Sequence, residues 1–120
     1  MMTQSLFERL GGKDAVNAAV DLFYEKVLVD STINHFFKNT DMTRQRNHQK
    51  AFLTYAFGGM KNYEGKNMRI AHAHLDINED HFNAVATHLQ STLEELGVSN
   101  DLIEEVMAIA AGTHDDVLNI

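Results

Sequence analysis

The sequence predicts an all-α fold, and three features of the chain indicate it. Proline is absent from the 120 residues, although average usage would give about six. The seven glycines fall at a few positions, so the segments 13–57, 66–96 and 98–111 contain neither helix breaker. Apolar residues within these segments recur at spacings of three and four. Long unbroken segments with this period favour helices over the frequent turns of a β protein.

Four of the predicted helices begin at a residue that caps helices well. These N-cap residues are Ser5, Asp41, Asn78 and Ser99. Ser5 forms a capping box with Glu8 before a very short first helix, and Asp41 begins a segment that runs to Phe57. Four substantial helices are expected in all. Short helices are expected near the N-terminus, at 32–37 and around 68–75.

Apolar stripes indicate which helix faces are buried. The clearest stripe consists of Phe82, Val85, Ala86, Leu89, Leu93 and Leu96. A weaker one consists of Val16, Val20, Phe23 and Val27, and another of Leu102, Val106, Ile109 or Ala110, Thr113 and Val117. Each of these stripes is expected to face the core.

Length and composition predict a single domain spanning residues 1–120. Hydrophobic residues make up 44% of the chain and charged residues 22%, which argues against a disordered or a membrane protein. The longest apolar run, 106–111, is far short of the roughly 20 residues that cross a bilayer. Residues 1–10 lack the layout of a signal peptide. We therefore expect a cytoplasmic protein, monomeric and without a membrane partner.

Charge is distributed unevenly along the chain. The net charge is −7, yet residues 38–69 carry seven basic and two acidic side chains, and residues 70–120 carry ten acidic side chains and no Lys or Arg. An acidic chain is a poor general binder of nucleic acid. The basic middle either serves one small dianion or is simply a solvated helix face.

The residue types present exclude several kinds of chemistry. The absence of cysteine excludes disulfides, zinc fingers, cysteine-ligated clusters and thiol nucleophiles. Seven histidines are many for this length, but no zinc-hydrolase or di-iron spacing occurs among them. His72 and His74 would point about 200° apart on a helix, so they cannot share a metal.

The helix expected at 42–57 carries a polar group on an otherwise apolar face. Gln45, His48, Gln49 and Phe52 share that face. The polar side chains either point into an internal pocket or form an exposed cluster at a helix start. Tyr24 either places its hydroxyl in the same pocket or is a core tyrosine bonded to a backbone carbonyl.

The chain resembles the group I truncated haemoglobins, the cyanobacterial type especially, over nearly its whole length. The matching segments are LFERLGG at 6–12, DLFYEKVL at 21–28, HFF at 35–37, DMTRQRNHQKAFL at 41–53, YAFGG at 55–59, MRIAH at 68–72, HF at 81–82 and DVLN at 116–119. The resemblance implies a two-over-two helical sandwich around haem b.

The resemblance also implies a role for particular residues. His72 matches the proximal iron ligand, and His48 matches the histidine that coordinates iron on the opposite side when no gas is bound. Tyr24, Gln45 and Gln49 match the distal hydrogen-bond donors. The candidate apolar contacts to haem are Phe36, Phe37, Phe57, Met68, Leu75, Phe82, Val85 and Leu89. The candidate partners of the propionates are Arg44, Lys50, Lys61, Lys66 and Arg69.

His114 is a further candidate contact with haem. Some cyanobacterial relatives bond a histidine near the end of the last helix to a haem vinyl carbon. Counted from DVLN, that position falls on Thr113, and His114 follows one residue later, rotated by about 100°. Covalent attachment through His114 and a plain surface or hydrogen-bonding histidine are therefore both open.

The function that the resemblance implies is reversible binding of oxygen, nitric oxide and carbon monoxide. Nitric oxide dioxygenation, supported by an external reductase, is a linked enzymatic interpretation. A bis-histidine electron-transfer or redox protein and a haem-free helical interaction module are the alternatives.

Overall fold

The computed structural model describes residues 4–59, 72–73 and 75–119. Within these ranges it contains helices and no β-strand, which confirms the predicted all-α class. The helices are α1 (Leu6–Leu10), α2 (Gly12–Leu28), α3 (Met42–Ala56), α4 (Glu79–Glu95), α5 (Asn100–Ala111) and α6 (His114–Leu118), with a 3₁₀ turn at Asn34–Phe37.

The predicted N-caps begin α1, α3, α4 and α5. The Ser5 hydroxyl accepts a hydrogen bond from the Glu8 amide, and the Asp41 carboxylate accepts one from the Arg44 amide. Asn78 accepts from the His81 amide at 2.9 Å, while His81 Nδ1 accepts from the Asn78 amide at 3.1 Å. A histidine therefore completes the capping box of α4, a role that the sequence analysis did not assign to it.

α2 lies at the centre of the helix packing. It packs against α3 on one side and α4 on the other, and α4 also packs against α5 and α6. Val20 and Val27 of α2 are almost fully buried, as are Ile33 before the 3₁₀ turn and Val106 of α5. The predicted α2 stripe is therefore confirmed as a core face.

The α4 stripe is only partly buried. Leu93 belongs to the core, but Val85 is 36% exposed and Leu96 is 43% exposed. The prediction that both face the core is wrong in this respect. Leu96 lies beyond the last turn of α4, beside Gly97, and Val85 lies on the wall of a cavity.

The apolar stripe from Leu102 to Val117 is divided between two helices rather than carried by one. α5 ends at Ala111, and the Thr113 amide and hydroxyl both donate to the Ala110 carbonyl, at 3.1 and 2.7 Å. This tight i to i−3 pairing ends the α-helical ladder. α6 then begins at His114.

The glycine pair after α3 lets α1 approach closely. The Phe7 amide donates to the Phe57 carbonyl at 2.9 Å. Gly58 has a φ of 87°, in the left-handed region that glycine tolerates best. A Cβ at Gly59 would lie 2.7 Å from the Phe7 ring. Both glycines are therefore required by the backbone path at this joint.

Within the described part of the chain, no helix is both long enough and apolar enough to cross a membrane.

Candidate functional site

A cavity of about 160 Å³ opens between α2, α3, α4 and the C-terminal helices. Its walls are formed by Ala19, Val20, Phe23, Gln49, Phe52, Leu53, Phe57, His72, Phe82, Val85, Ala86, Leu89, Val106, Ile109, Ala110, Thr113 and Val117. Among these described wall residues, His72, Gln49 and Thr113 are the polar ones. The cavity therefore offers one imidazole, one amide and one hydroxyl within apolar walls.

Several residues singled out in the sequence meet at this cavity. His72 and Gln49 line it, together with the predicted apolar contacts Phe57, Phe82, Val85 and Leu89. Leu75 is half-buried and is not among the wall residues.

Tyr24 and Gln45 form a hydrogen-bonded pair between α2 and α3. Tyr24 is 2% exposed, and Gln45 Nε2 donates to its hydroxyl at 3.1 Å. Burial raises the pKa of the Tyr24 phenol, an effect that the Gln45 hydrogen bond and the nearby charge of Arg46 partly offset. Tyr24 is therefore bonded to a side chain rather than to the backbone carbonyl that was the alternative. Neither residue is part of the cavity wall.

The two candidate aromatic contacts at the 3₁₀ turn pack against different neighbours. Phe37 meets Tyr24 edge to face, with ring centroids 5.7 Å apart. Phe36 meets the His81 ring at 4.9 Å, also edge to face. Phe37 thus supports the Tyr24 and Gln45 pair, while Phe36 packs toward the start of α4.

The other α3 candidates lie away from the cavity wall. His48 and Arg44 are exposed. The Lys50 ammonium lies 3.2 Å from the Asp21 carboxylate of α2. Candidates Lys61, Lys66, Met68 and Arg69 lie outside the described residues.

Arg46 is a polar side chain on α3 that the sequence analysis passed over. Its Nε is buried and has no hydrogen-bond partner within the described part of the chain. A buried guanidinium nitrogen without an acceptor is costly, so this position suits an anionic group. The charge pattern included Arg46 in the basic segment 38–69, but helix periodicity did not select it, because Arg46 falls outside the face shared by Gln45 and Gln49.

His114 lies next to the cavity but does not line it. Its Nε2 is 2.6 Å from a Glu79 oxygen, and its Nδ1 is 2.9 Å from an Asp115 oxygen. These two carboxylates raise the pKa of His114 above its ordinary value. Thr113, the residue before it, is the one on the cavity wall.

Comparison with known proteins identifies the family. Residues 5–119 match the model of the bacterial-like globin family. The chain is 56% identical to a group 1 truncated haemoglobin from Synechocystis sp., over 96% of this chain and 98% of the relative. The chain belongs to the group 1 truncated haemoglobins.

Solved truncated haemoglobins share its fold. The 2/2 haemoglobin of Synechococcus sp. PCC 7002, in the cyanomet state with covalently attached haem, matches with a TM-score of 0.94 and 49% identity, over 98% of this chain and 100% of that one. The Fe(III) form of the Tetrahymena pyriformis truncated haemoglobin matches with a TM-score of 0.91 and 46% identity, covering 96% and 98%. The predicted two-over-two sandwich is thereby confirmed.

The truncated haemoglobin fold also explains the wall residues that were not predicted as site residues. Val20, Phe23, Ile109, Thr113 and Val117 were interpreted as core stripes. In a haemoglobin a core face and a cofactor cavity use the same apolar period, so periodicity does not separate them.

Proposed function

We propose that this truncated haemoglobin binds haem b in the cavity and uses it to bind diatomic gases reversibly. The observation that carries the proposal is the position of His72 on the wall of a cavity whose other described wall residues, apart from Gln49 and Thr113, are apolar. A neutral imidazole is the usual axial ligand of globin iron, and apolar walls suit the porphyrin face. The imidazole of His72 and the apolar wall residues therefore fit a haem group.

The protein residues near the cavity supply what a bound gas requires. A bound haem supplies the iron to which the gas coordinates. Because Gln45 donates to the Tyr24 hydroxyl, the phenol proton of Tyr24 remains available for another acceptor. Burial keeps that phenol protonated, since it raises the Tyr24 pKa. Tyr24 is thus the distal donor, and Gln45 orients it.

Gln49 is the second distal donor in this proposal. It is an amide on the cavity wall, one helical turn from Gln45 on α3. Gln49 itself lines the cavity, whereas Gln45 acts through Tyr24.

We assign the propionate contacts first to Arg46, whose buried Nε lacks an acceptor among the described residues. Lys50 is engaged with Asp21 and Arg44 is exposed, which makes both weaker candidates. Arg46→Met should raise the dissociation constant for hemin more than Arg44→Met does. Equal effects of the two variants would contradict the assignment.

When no gas is bound, His48 would be a second residue that holds the iron. It shares its helix face with Gln45 and Gln49, and its side chain is exposed. The unliganded protein should therefore be low-spin. His48→Leu should turn it largely high-spin and speed carbon monoxide binding. An unchanged spin state and rate in that variant would remove His48 from the site.

Titration with hemin, followed in the visible spectrum, tests the central assignment. The full-length chain should bind hemin with the ferric, ferrous and carbon monoxide spectra of a b-type haem protein. His72→Ala should lose stable binding, whereas His35→Ala, at the 3₁₀ turn, should retain it. Wild-type affinity and spectra in His72→Ala would overturn the proposal.

The same preparation tests two extensions of the proposal. Nitrate formed stoichiometrically when nitric oxide meets the reduced, oxygenated protein would support nitric oxide dioxygenation.

Acid–organic extraction tests whether haem is covalently attached to the protein. We propose that haem leaves entirely with the solvent, because both His114 nitrogens face carboxylates.

A further inference from the structure

The terminal helix α6 forms part of the cavity wall although it is only five residues long. It spans only His114–Leu118 and is separated from α5 by Gly112 and Thr113. Thr113 and Val117 nevertheless both line the cavity. Isolated helices of this length are unstable in water, so tertiary contacts must fix the position of α6.

His114 supplies such a contact with α4. Its side chain is 28% exposed, and its ring meets Phe82 edge to face, with centroids 5.1 Å apart. Nε2 reaches Glu79 in the first turn of α4, and Nδ1 reaches Asp115. Carboxylates only accept hydrogen bonds, so both contacts are made together only when the ring is doubly protonated.

We propose that protonated His114 is a pH-sensitive latch that holds α6, and with it Thr113 and Val117, against α4 at the cavity wall. Glu79 is the charged group that faces the ring from α4, and Asp115 is the one that faces it from α6. When the ring loses a proton, one hydrogen bond and the ionic attraction are lost. The neutral ring then keeps at most one of its two carboxylate contacts, so the C-terminal wall is held less tightly against α4.

The direction of the pH effect follows from the two carboxylates. They raise the pKa of His114 above its ordinary 6.5, so the charged ring is favoured in the folded chain. The latch is closed below pH 6.5 and is released as pH rises through the raised pKa.

This inference rests on the proposed function only for the identity of what occupies the cavity. The latch itself is a property of the polypeptide. A failure of hemin to bind would contradict the proposed function and leave the latch standing, so the two are tested separately.

Hydrogen exchange of the backbone amides of residues 113–118 tests the latch. It is measured on the full-length chain, as purified and after saturation with hemin, with rates normalised to the intrinsic rate at each pH. We expect protection of these amides to fall several-fold as pH rises through the His114 pKa. That pKa is followed in the same samples by the ring NMR signals.

Variants separate the latch from a general effect of charge. Glu79→Gln should lower protection at pH 6 to the high-pH level and abolish the pH dependence. Asp80→Asn removes a neighbouring carboxylate from the same first turn without touching His114, and it should behave like wild type. Protection that is independent of pH in the wild type, or equal effects of the two variants, would overturn the proposal. So would haem that resists extraction from wild type but leaves His114→Ala.

Discussion

At the scale of single residues, polar groups without partners are informative. Thr92 is fully buried in α4, and its hydroxyl has no hydrogen-bond partner among the described residues. On the same helix, His88 pairs with Asp30 and Glu95 pairs with Lys26. These pairs join α4 to α2 and the residues after it. Thr92 lies between His88 and Glu95 in the sequence and takes part in neither contact.

Thr92→Val should stabilise the protein by about 1 kcal/mol, because it removes an unsatisfied buried hydroxyl and keeps the branched shape. Thermal unfolding should shift upward by roughly 4 °C for a chain of this size. Thr87→Val is the matched control, since the Thr87 hydroxyl is exposed and donates to the Asn83 carbonyl. Destabilisation by Thr92→Val would show that the hydroxyl has a partner.

Retention of bound oxygen should depend most on the Tyr24 hydroxyl. In the haem-loaded protein, Tyr24→Phe should speed oxygen dissociation about tenfold, the effect of losing about 1.4 kcal/mol. Gln45→Leu should act in the same direction, because Gln45 orients the phenol. Tyr55→Phe is the control, since Tyr55 is 41% exposed. Stopped-flow measurement of the oxygen dissociation rate tests this prediction. An unchanged rate in Tyr24→Phe would mean that another residue is the distal donor.

At the scale of elements, the joints between helices set the geometry of the molecule. The Gly58 and Gly59 pair lets α1 lie over the end of α3, and the Arg9 guanidinium of α1 meets Glu105 of α5 through two contacts of 2.7 Å. α1 is therefore fixed at both ends, despite having only five residues. The backbone conformation at the glycine pair should contribute more to the stability of this arrangement than the exposed ion pair does.

Gly58→Ala should cost at least about 1 kcal/mol of unfolding free energy, because an L-residue is strained at a φ of 87°. A Cβ there would also lie 3.3 Å from the Ser5 Cβ. Gly97→Ala isolates the backbone component, since Gly97 has a φ of 76° and open space around it. Urea unfolding should show the larger loss for Gly58→Ala. The reverse order would mean that α1 does not pack closely here.

At the scale of the whole molecule, charged residues from distant segments of the sequence form ion pairs with one another. Acidic residues from the C-terminal half meet basic partners far away in the chain, as Glu95 does with Lys26 and Glu105 with Arg9. Lys50 of the basic segment meets Asp21. Among the described residues of the basic segment 38–69, Lys50 is thus paired with a carboxylate of the protein itself.

Binding of hemin should stabilise the entire fold, because the cavity is bounded by most of the long helices. A ligand at 100 times its dissociation constant adds about 2.7 kcal/mol, which corresponds to an upward shift of roughly 10 °C in thermal unfolding. His72→Ala should show a much smaller shift, and His35→Ala should show the full one. An equal shift in both variants would indicate non-specific adsorption of hemin.

The sequence by itself determined the helical class, the N-caps and the family. The helical class and the N-caps depend on local signals: the absence of proline, the capping side chains at Ser5, Asp41 and Asn78, and a period of 3.6 residues. The family depends instead on the matching segments along the chain. The resemblance singled out His72 and Gln49, and both line the same cavity.

Tertiary structure alone decided which polar groups find partners. The pairing of Gln45 with Tyr24, of His88 with Asp30 and of His114 with Glu79 joins residues 21 to 58 positions apart. No local pattern encodes such distances, because they depend on how the helices pack. The division of the last helical segment at Thr113 also depends on particular contacts. The Thr113 hydroxyl bonds to the Ala110 carbonyl, and His114 contacts Glu79 of α4. These contacts divide the segment into two helices although its apolar stripe is continuous.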